Sequence, residues 1–391
     1  MKKLFYIFMG LGLLFGAICF FIFFPVANFP SPKGFYGIGE KNYHWVDLSR
    51  KELNSQDVKH PYREIMVYVF YPTVKSEVKN LVSFDFDAAQ SSIEYLAKTS
   101  KFPRWVFNNI KFIKVHSKYD AFIAQNKIVF PIIIFSPGGG LMVQHYSHLI
   151  EGLVSQGFVV IGINHPYIAD IVRYADGHIV KSAMQDKKQE AKKTGQSFSK
   201  WKSEQVEENA KDISFVINKI QEIASKKDNF WGNIDFNKIG LLGHSFGGRT
   251  ITHTILNDKR IKCGCNLDGG IEESDAKKPF LKPFLFVMGG KSHIWNKDNS
   301  YSKAVDPLGL KMIEELANVK NGNVSILTID GVGHGLFTDT PLQLNRILFT
   351  RFLSRFVDFY LGQSSNKAFD ILVNNVMPEI NIFFDKNLKN K

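Results

Sequence analysis

Short, almost purely apolar runs recur through the central part of the chain, and this feature constrains the fold more than any other. The runs VFPIIIFS (129–136) and FVVIGINHP (158–166) flank the helical pattern HYSHLIEGLVSQG (145–157). Strands with so few polar residues are typical of parallel sheets, because helices cover both faces of such a sheet. The series continues with KIGLLGH (238–244), IKCGCNLD (261–268), PFLFVMGG (283–290) and VSILTID (324–330). We therefore expect an α/β fold with a doubly wound, mainly parallel sheet and helices on both faces.

One further strand and several helices are predicted around this series. PYREIMVYVFYP (61–72) alternates and is rich in β-branched and aromatic residues, which predicts an early antiparallel strand near an edge of the sheet. FPRWVFNNIKFIK (102–114) has the pattern of an amphipathic helix. Further helices are predicted over 213–224, 248–258, 309–318 and 342–362.

Two segments stand outside this pattern. Residues 181–212 are heavily charged and lead into the helix at 213–224, which predicts an exposed insertion. This insertion is either a solvated face or an element that acts as a lid or contacts a membrane. The tail 364–391 is polar with a few apolar residues, and its pattern predicts no particular structure.

The N-terminus carries an apolar segment. Two lysines precede an uncharged run from Leu4 to Phe24, which has about the 20 residues that span a bilayer as a helix. A signal anchor is favoured over a cleaved signal peptide, because the run is long and no clean small-x-small site follows it. We expect this segment to cover 1–27 and the main domain to cover 28–363. The domain is exported, either anchored outside the cytoplasm or, after cleavage, secreted or periplasmic.

The chain of 391 residues has a formal net charge of +12, which favours anionic partners such as acidic lipid headgroups or phosphate-bearing substrates. Nucleic acid is not an expected partner, because no run of five basic residues and no zinc-finger spacing occurs. Three cysteines are too few for a disulfide framework. We expect Cys263 and Cys265 to pack as small apolar residues of a buried strand.

The stretch IGLLGHSFGGRT (239–250) contains the pattern G-x-S-x-G, centred on Ser245. The pattern alone is a weak signal, but here it falls where a predicted strand ends and a predicted helix begins. Flanking glycines permit the tight strand-to-helix turn that lifts a serine hydroxyl clear of the sheet. The same turn places the Phe246 amide at a helix N-terminus, where a developing negative charge is favoured. Ser245 is therefore predicted to be a nucleophile.

A serine nucleophile needs a base and an acid that orients the base. His334 lies in the glycine-rich loop of ILTIDGVGHGLFTD (326–339), just after the last predicted strand, and is predicted to be the base. Position favours Asp268, at the end of the strand after the nucleophile helix, as the acid. Asp298, after the next strand, is the alternative. Two further aspartates, Asp330 and Asp339, are close to His334 in the sequence. We expect them on the side of the histidine from which a carboxylate could not act as the orienting acid.

The glycine-rich loop FSPGGG (135–140) follows the first core strand and predicts a second oxyanion donor, because glycine lets a backbone amide approach the reacting carbonyl. We expect the Gly139 amide to be that donor. His145, His148 and His165 lie nearby, but no carboxylate or cysteine completes a metal site at usable spacing. We therefore expect neither a metal nor another cofactor.

Together these motifs resemble the plasma, or type II, platelet-activating factor acetylhydrolases and their bacterial relatives. The resemblance runs from about residue 60 to residue 345 and is carried by HSKYDAFIA, PIIIFSPGGG, GFVVIGINHP, EQVEENAKDISFVI, GHSFGG, CNLDGG and GVGHGLFTD. It implies an α/β-hydrolase fold without a metal, and release of short or oxidised acyl chains from the sn-2 position of phospholipids. The implied roles are nucleophile for Ser245, acid for Asp268, base for His334, and oxyanion donors for the amides of Gly139 and Phe246.

Two positions depart from the pattern of that family. Pro137 stands where the family often has a histidine, and Gly139 stands where bulkier residues can occur. These departures leave the preferred acyl chain length open. The expected function is that of a serine carboxylic ester hydrolase acting on phospholipid or other lipid esters at a membrane. The alternatives are a general esterase or thioesterase for small soluble acyl compounds and a membrane-tethered binding protein of the same fold without catalysis.

Overall fold

The structure is a computed structural model that describes residues 2–23, 29–54, 58–75, 82–100, 102–125, 129–224, 230–290, 307–318, 322–330, 332–340, 343 and 365–389. Within these ranges the strands are β1 (Gly37–Lys51), β2 (Tyr62–Thr73), β3 (Val82–Ser83), β4 (Lys114–Val115), β5 (Ser117–Tyr119), β6 (Phe130–Ser136), β7 (Val159–Asn164), β8 (Ile171–Arg173), β9 (Ile179–Lys181), β10 (Ile234–His244), β11 (Ile261–Leu267), β12 (Phe284–Gly289) and β13 (Val324–Ile329).

The helices of the described residues lie before, between and after these strands. The α-helices are α1 (Lys2–Phe23), α2 (Phe86–Ser100), α3 (Ser147–Ser155), α4 (Met184–Thr194), α5 (Phe198–Ala224), α6 (Phe246–Asn257), α7 (Glu273–Ala276), α8 (Pro307–Asn318), α9 (Ser365–Ile371) and α10 (Met377–Phe384). Short 3-10 helices cover Arg104–Phe112, Val143–Tyr146, Trp231–Asn233 and His334–Phe337, and π-helical turns cover Leu372–Val376 and Asp385–Lys389.

One large sheet organises the described part of the chain, in the order β13-β12-β11-β10-β6-β7-β2-β1-β5. Strands β6, β7 and β10 to β13 run parallel to one another, whereas β2 is antiparallel to both of its neighbours, β1 and β7. Two small antiparallel pairs, β3 with β4 and β8 with β9, stand outside the large sheet. The predicted α/β-hydrolase type of fold is confirmed, including the parallel centre and the antiparallel β2.

Alternate residues of β6 show how the sheet divides the core into two layers. Ile133 and Phe135 pack on one face, in a cluster that includes residues of α3 and of the C-terminal helices. Ile132 and Ile134 pack on the other face, in a cluster with residues of α5 and α6. The lack of polar residues in β6 thus follows from burial of the strand on both faces.

Two expectations about local structure need correction. The segment 102–114 is helical only over Arg104–Phe112, and there it is a 3-10 helix. Residues 181–212 are not exposed throughout, because α5 begins at Phe198 and buries Val206, Asn209 and Asp212. Only the part that includes α4, which has no buried residue, fits the expectation of an exposed insertion.

The tail, whose structure the sequence pattern did not predict, is helical from Ser365 to Lys389 and packs onto the core. Leu372, Val376 and Phe384 are among its fully or almost fully buried side chains. Nearly all of the helix predicted over 342–362 lies outside the described residues.

The N-terminal apolar run forms a helix, α1, as its length indicated. Among the described residues, however, none of the helices combines the length and the apolar character needed to cross a membrane. The membrane anchor therefore stays a prediction. The expected boundary at residue 27 falls in the undescribed residues 24–28.

Candidate active site

Ser245 occupies the turn between β10 and α6, with a backbone φ of 55°. Such a positive φ is costly for a residue with a side chain and is typical of functional turns. The turn also requires glycine on both sides. A methyl group on Gly247 would lie 2.0 Å from the Ser136 carbonyl oxygen, and one on Gly243 would lie 2.4 Å from the Gly247 carbonyl oxygen. The local sequence thus presents the Ser245 hydroxyl at the carboxyl end of the sheet.

The structure brings Ser245, His334 and Asp268 into one hydrogen-bonded row. The distance from Ser245 Oγ to His334 Nε2 is 2.8 Å, and that from His334 Nδ1 to Asp268 Oδ2 is 2.6 Å. The second carboxylate oxygen of Asp268 accepts a hydrogen bond from the Gly289 amide at 2.8 Å. The carboxylate is almost fully buried, whereas the imidazole is partly exposed. The geometry is that of a nucleophile, a base and an orienting acid.

Asp339, one of the other aspartates considered, is not in this row. Asp339 accepts hydrogen bonds from the amides of Ser147 and His148, at 2.7 and 3.1 Å, and so caps the first turn of α3. Asp298 lies outside the described residues. Within the described part of the chain, Asp268 is the carboxylate that bonds to the His334 imidazole.

The two predicted oxyanion donors are neighbours in space. A methyl group on Gly139 would lie 3.5 Å from Phe246 Cβ and 2.7 Å from the Met184 sulfur. Phe246 is the first residue of α6. Among the described residues, neither of these two amides has a hydrogen-bond acceptor. Both N–H groups are therefore available to an oxygen atom bound beside Ser245.

A chain of hydrogen bonds that sequence reasoning missed connects the oxyanion loop to the His334 backbone. The Gly138 amide donates to the Tyr146 hydroxyl at 3.0 Å, and that hydroxyl lies 2.7 Å from His244 Nδ1. His244 Nε2 lies 3.1 Å from the His334 carbonyl oxygen. Burial holds the pKa of His244 well below its usual range, and the neighbouring His334 lowers it further. His244 is thus neutral, with Nε2–H as donor and Nδ1 as acceptor.

A second buried row supports the strand below the oxyanion loop. Ser136 Oγ lies 3.0 Å from His165 Nε2, and His165 Nδ1 lies 2.9 Å from Asp212 Oδ2. Arg63 donates to the same Asp212 oxygen at 2.7 Å. Burial alone would raise the pKa of Asp212, but the charge of Arg63 and the hydrogen bonds from His165 and Arg63 hold it below its usual range. This row resembles a Ser-His-Asp triad, but the Ser136 side chain is fully buried and cannot meet a substrate.

The three histidines considered for a metal site have separate surroundings. The His145 ring bonds to the Met142 amide and the Ala88 carbonyl, and burial lowers its pKa to about 4. Burial also lowers the pKa of His148 to about 4. His165 belongs to the row described above. Cys263 and Cys265 are buried in β11, where burial raises the pKa of both thiols.

Comparison with known proteins gives the family. The sequence matches the family described as platelet-activating factor acetylhydrolase, isoform II, over residues 22–378. It is 26% identical over 289 residues to a probable 1-alkyl-2-acetylglycerophosphocholine esterase of Arthroderma benhamiae, with 70% of this chain and 67% of that protein covered. It is 27% identical over 202 residues to the platelet-activating factor acetylhydrolase of Cavia porcellus, with 45% of this chain and 43% of that protein covered.

A solved structure shares the fold. The ferulic acid esterase of Streptomyces cinnamoneus is 22% identical and superposes with a TM-score of 0.67, over 94% of each chain. The likeness to the named relatives is partial, because the match covers about two thirds of the first and less than half of the second. The match to the family covers most of the chain. The chain therefore belongs to the platelet-activating factor acetylhydrolase, isoform II, family of serine ester hydrolases.

Proposed function

We propose that the chain is a lipid esterase of the phospholipase A2 type. It hydrolyses carboxylic esters of lipids and releases short or modified acyl chains. The row from Ser245 Oγ through His334 to Asp268, with contacts of 2.8 and 2.6 Å, is the observation that carries this proposal. The names of the relatives support the substrate class, since one is a probable 1-alkyl-2-acetylglycerophosphocholine esterase.

In the proposed reaction, Ser245 Oγ attacks the ester carbonyl carbon while His334 Nε2 takes the hydroxyl proton. The negative charge that develops on the carbonyl oxygen is stabilised by the amides of Gly139 and Phe246. Asp268 holds the Nδ1–H tautomer of His334 and stabilises the imidazolium. Collapse of the intermediate expels the alcohol, which receives the proton from Nε2. Water, activated by the same imidazole, then hydrolyses the acyl-serine.

Apolar side chains beside the proposed oxyanion hole fit a lipid substrate. Ile168, Val206 and Phe246 form a small buried cluster, and the partly buried Met184 and Trp201 pack against it. The Met184 sulfur lies close to Gly139, so this cluster borders the amide that would bind the reacting carbonyl. An acyl chain or glycerol backbone held there loses contact with water, which favours binding.

The first test is labelling of the full chain with a fluorophosphonate, followed by mass mapping of the modified peptide. We expect stoichiometric labelling of Ser245 and none in His334→Ala, because the hydroxyl is activated by the imidazole. Turnover should fall by about 10⁶-fold in Ser245→Ala and His334→Ala and by roughly 10⁴-fold in Asp268→Asn.

Ser136 supplies an internal control, because it has a similar hydrogen-bonded row and is fully buried. A label on Ser136, or full turnover in Asp268→Asn, would contradict the assignment of the triad. A folded chain that takes no label would favour the non-catalytic binding protein, which the relatives do not support.

The substrate class needs a separate comparison. Vesicles of phosphatidylcholine with an acetyl group at sn-2 are compared with long-chain phosphatidylcholine and with a soluble acetyl ester. A kcat/KM that is highest for the sn-2 acetyl lipid supports the proposal. Equal or better hydrolysis of the soluble ester would identify a general esterase with the same triad.

A further inference from the structure

Two histidines and an aspartate converge near the tip of the β8–β9 hairpin, away from the triad. His60 precedes β2, and Asp176 and His178 belong to the turn between β8 and β9. One donor atom from each of the three lies within 4.8 Å of the other two. We propose that these three residues bind a Zn²⁺ ion that fastens the hairpin to the start of β2.

The donor types fit the ion. Zn²⁺ is bound in proteins by imidazole nitrogen and carboxylate oxygen at about 2.0–2.2 Å, in tetrahedral geometry that separates donors by about 3.3 Å. His60 Nε2 lies 4.0 Å from Asp176 Oδ2, so these donors need to approach by less than about 1 Å. The side chains are 25% (His60), 50% (Asp176) and 22% (His178) exposed, which gives an ion and its remaining water ligand access from solvent.

Glu64 orients one of the ligands. Its Oε1 lies 2.7 Å from His60 Nδ1, which places the proton on Nδ1 and leaves the Nε2 lone pair toward Asp176. Its Oε2 lies 2.6 Å from His44 Nε2, and the carboxylate is 10% exposed. A buried carboxylate that accepts the other N–H of a ligating histidine is the usual outer partner in zinc sites.

The second imidazole is held by ring packing. The His178 ring stacks on Tyr174 with centroids 4.1 Å apart and on His60 with centroids 3.8 Å apart. His178 Nδ1 also lies 2.6 Å from Asp176 Oδ1. These contacts hold the three side chains together before an ion binds, and the two rings must turn out of their near-parallel stack for both lone pairs to reach one ion.

The position of the site suggests a structural effect of the ion. The hairpin continues from β9 into α4, whose first residue, Met184, packs beside Gly139. Fixing the hairpin to β2 is expected to stabilise this part of the chain. The triad does not use His60, Asp176 or His178, so the proposal is independent of the proposed function.

The test is a calorimetric titration of the chelator-treated full chain with Zn²⁺. We expect one equivalent to bind and the Tm to rise, because the ion binds only the folded state. The double variant His60→Ala/His178→Ala should bind at least about 100-fold more weakly, and Glu64→Gln about 10- to 100-fold more weakly. Asp176→Asn, at a half-exposed position, should weaken binding at least about 10-fold without loss of the fold.

Two control variants make the result specific. His253→Ala removes a histidine that lies 2.8 Å from Asp275 in another His-Asp pair, and it should leave Zn²⁺ affinity unchanged. Ser245→Ala should also bind Zn²⁺ like the wild type, even though it is inactive. Absence of saturable binding to the wild type would overturn the proposal. Wild-type affinity in the double variant would do the same, because the ion would then bind elsewhere.

Discussion

At the scale of single residues, the site depends on side chains that fix the backbone around the reacting groups. Tyr146 and His244 are fully buried, and both are fully hydrogen-bonded within one chain that runs from Gly138 to the His334 carbonyl. Gly138 immediately precedes the proposed oxyanion donor Gly139. Tyr146 is therefore in a position to set the loop and the base relative to each other without touching the substrate.

The variant Tyr146→Phe tests this positioning role. It leaves the Gly138 amide and His244 Nδ1 without their partner, so we expect kcat/KM to fall at least about 10-fold, with a smaller change in KM. The measurement is steady-state hydrolysis together with the rate of fluorophosphonate labelling, at a temperature well below the Tm of the variant.

Tyr71→Phe is the matched control, because Tyr71 is also fully buried and its hydroxyl donates to the Ala121 carbonyl at 2.7 Å. Both variants should lose about 1–3 kcal/mol of unfolding free energy, since each leaves a buried polar group unpaired. Only Tyr146→Phe should lose activity. Equal activity of the two variants would mean that Tyr146 has a purely structural role.

At the scale of elements, α5 shows how a charged sequence can belong to the core. Its N-terminal half is rich in lysine and glutamate, which predicts an exposed stretch. Asp212 is nevertheless fully buried, where it pairs with Arg63 of β2 and Arg50 of β1. It also bonds to His165, which follows β7. One carboxylate thus connects α5 to β1, to β2 and to the residue that follows β7.

Asp212→Asn is expected to destabilise the chain by about 3–5 kcal/mol, because it leaves buried guanidinium groups without their main counter-charge. Urea unfolding at pH 7 measures the loss. Glu190→Gln on α4 removes an exposed pair with Lys187 and should cost at most about 1 kcal/mol. A similar small loss for both variants would show that the buried network adds little to stability.

At the scale of the whole molecule, the C-terminal helices complete one face of the sheet. Phe384 is fully buried, and its ring centroid lies 6.1 Å from that of Phe158. The ring occupies space above Gly240 of β10, where a methyl group would lie 2.9 Å from it. The C-terminal helices therefore cover β10, the strand that ends just before Ser245.

Phe384→Ala should lower the unfolding free energy by about 3–5 kcal/mol, because it opens a cavity between the tail and the sheet. Ile382→Ala on the same helix changes a side chain that is 60% exposed, and it should stay within about 0.5 kcal/mol of the wild type. Denaturant unfolding of the two variants gives the comparison. If their losses were equal, the tail would not contribute to the core as described.

The sequence by itself determined the parallel sheet and its nucleophile turn, because both depend on local patterns: apolar strands of fixed length, and glycines around Ser245. It also predicted Asp268 and His334, because each lies just after a core strand and the carboxyl ends of parallel strands meet at one edge. The catalytic roles themselves stay predictions for the variants above to test.

Only the tertiary structure decided the rest. The sequence of β1 (Gly37–Lys51) has no regular alternation of polar and apolar residues. Its antiparallel pairing with β2 holds it in an extended conformation. The burial of Asp212 and the hydrogen bonds of Tyr146 and His244 each depend on partners far away in the chain. The packing of Phe384 onto β10 does so as well. Local propensity carries no information about such partners, because the free energy of these contacts arises only when the fold brings them together.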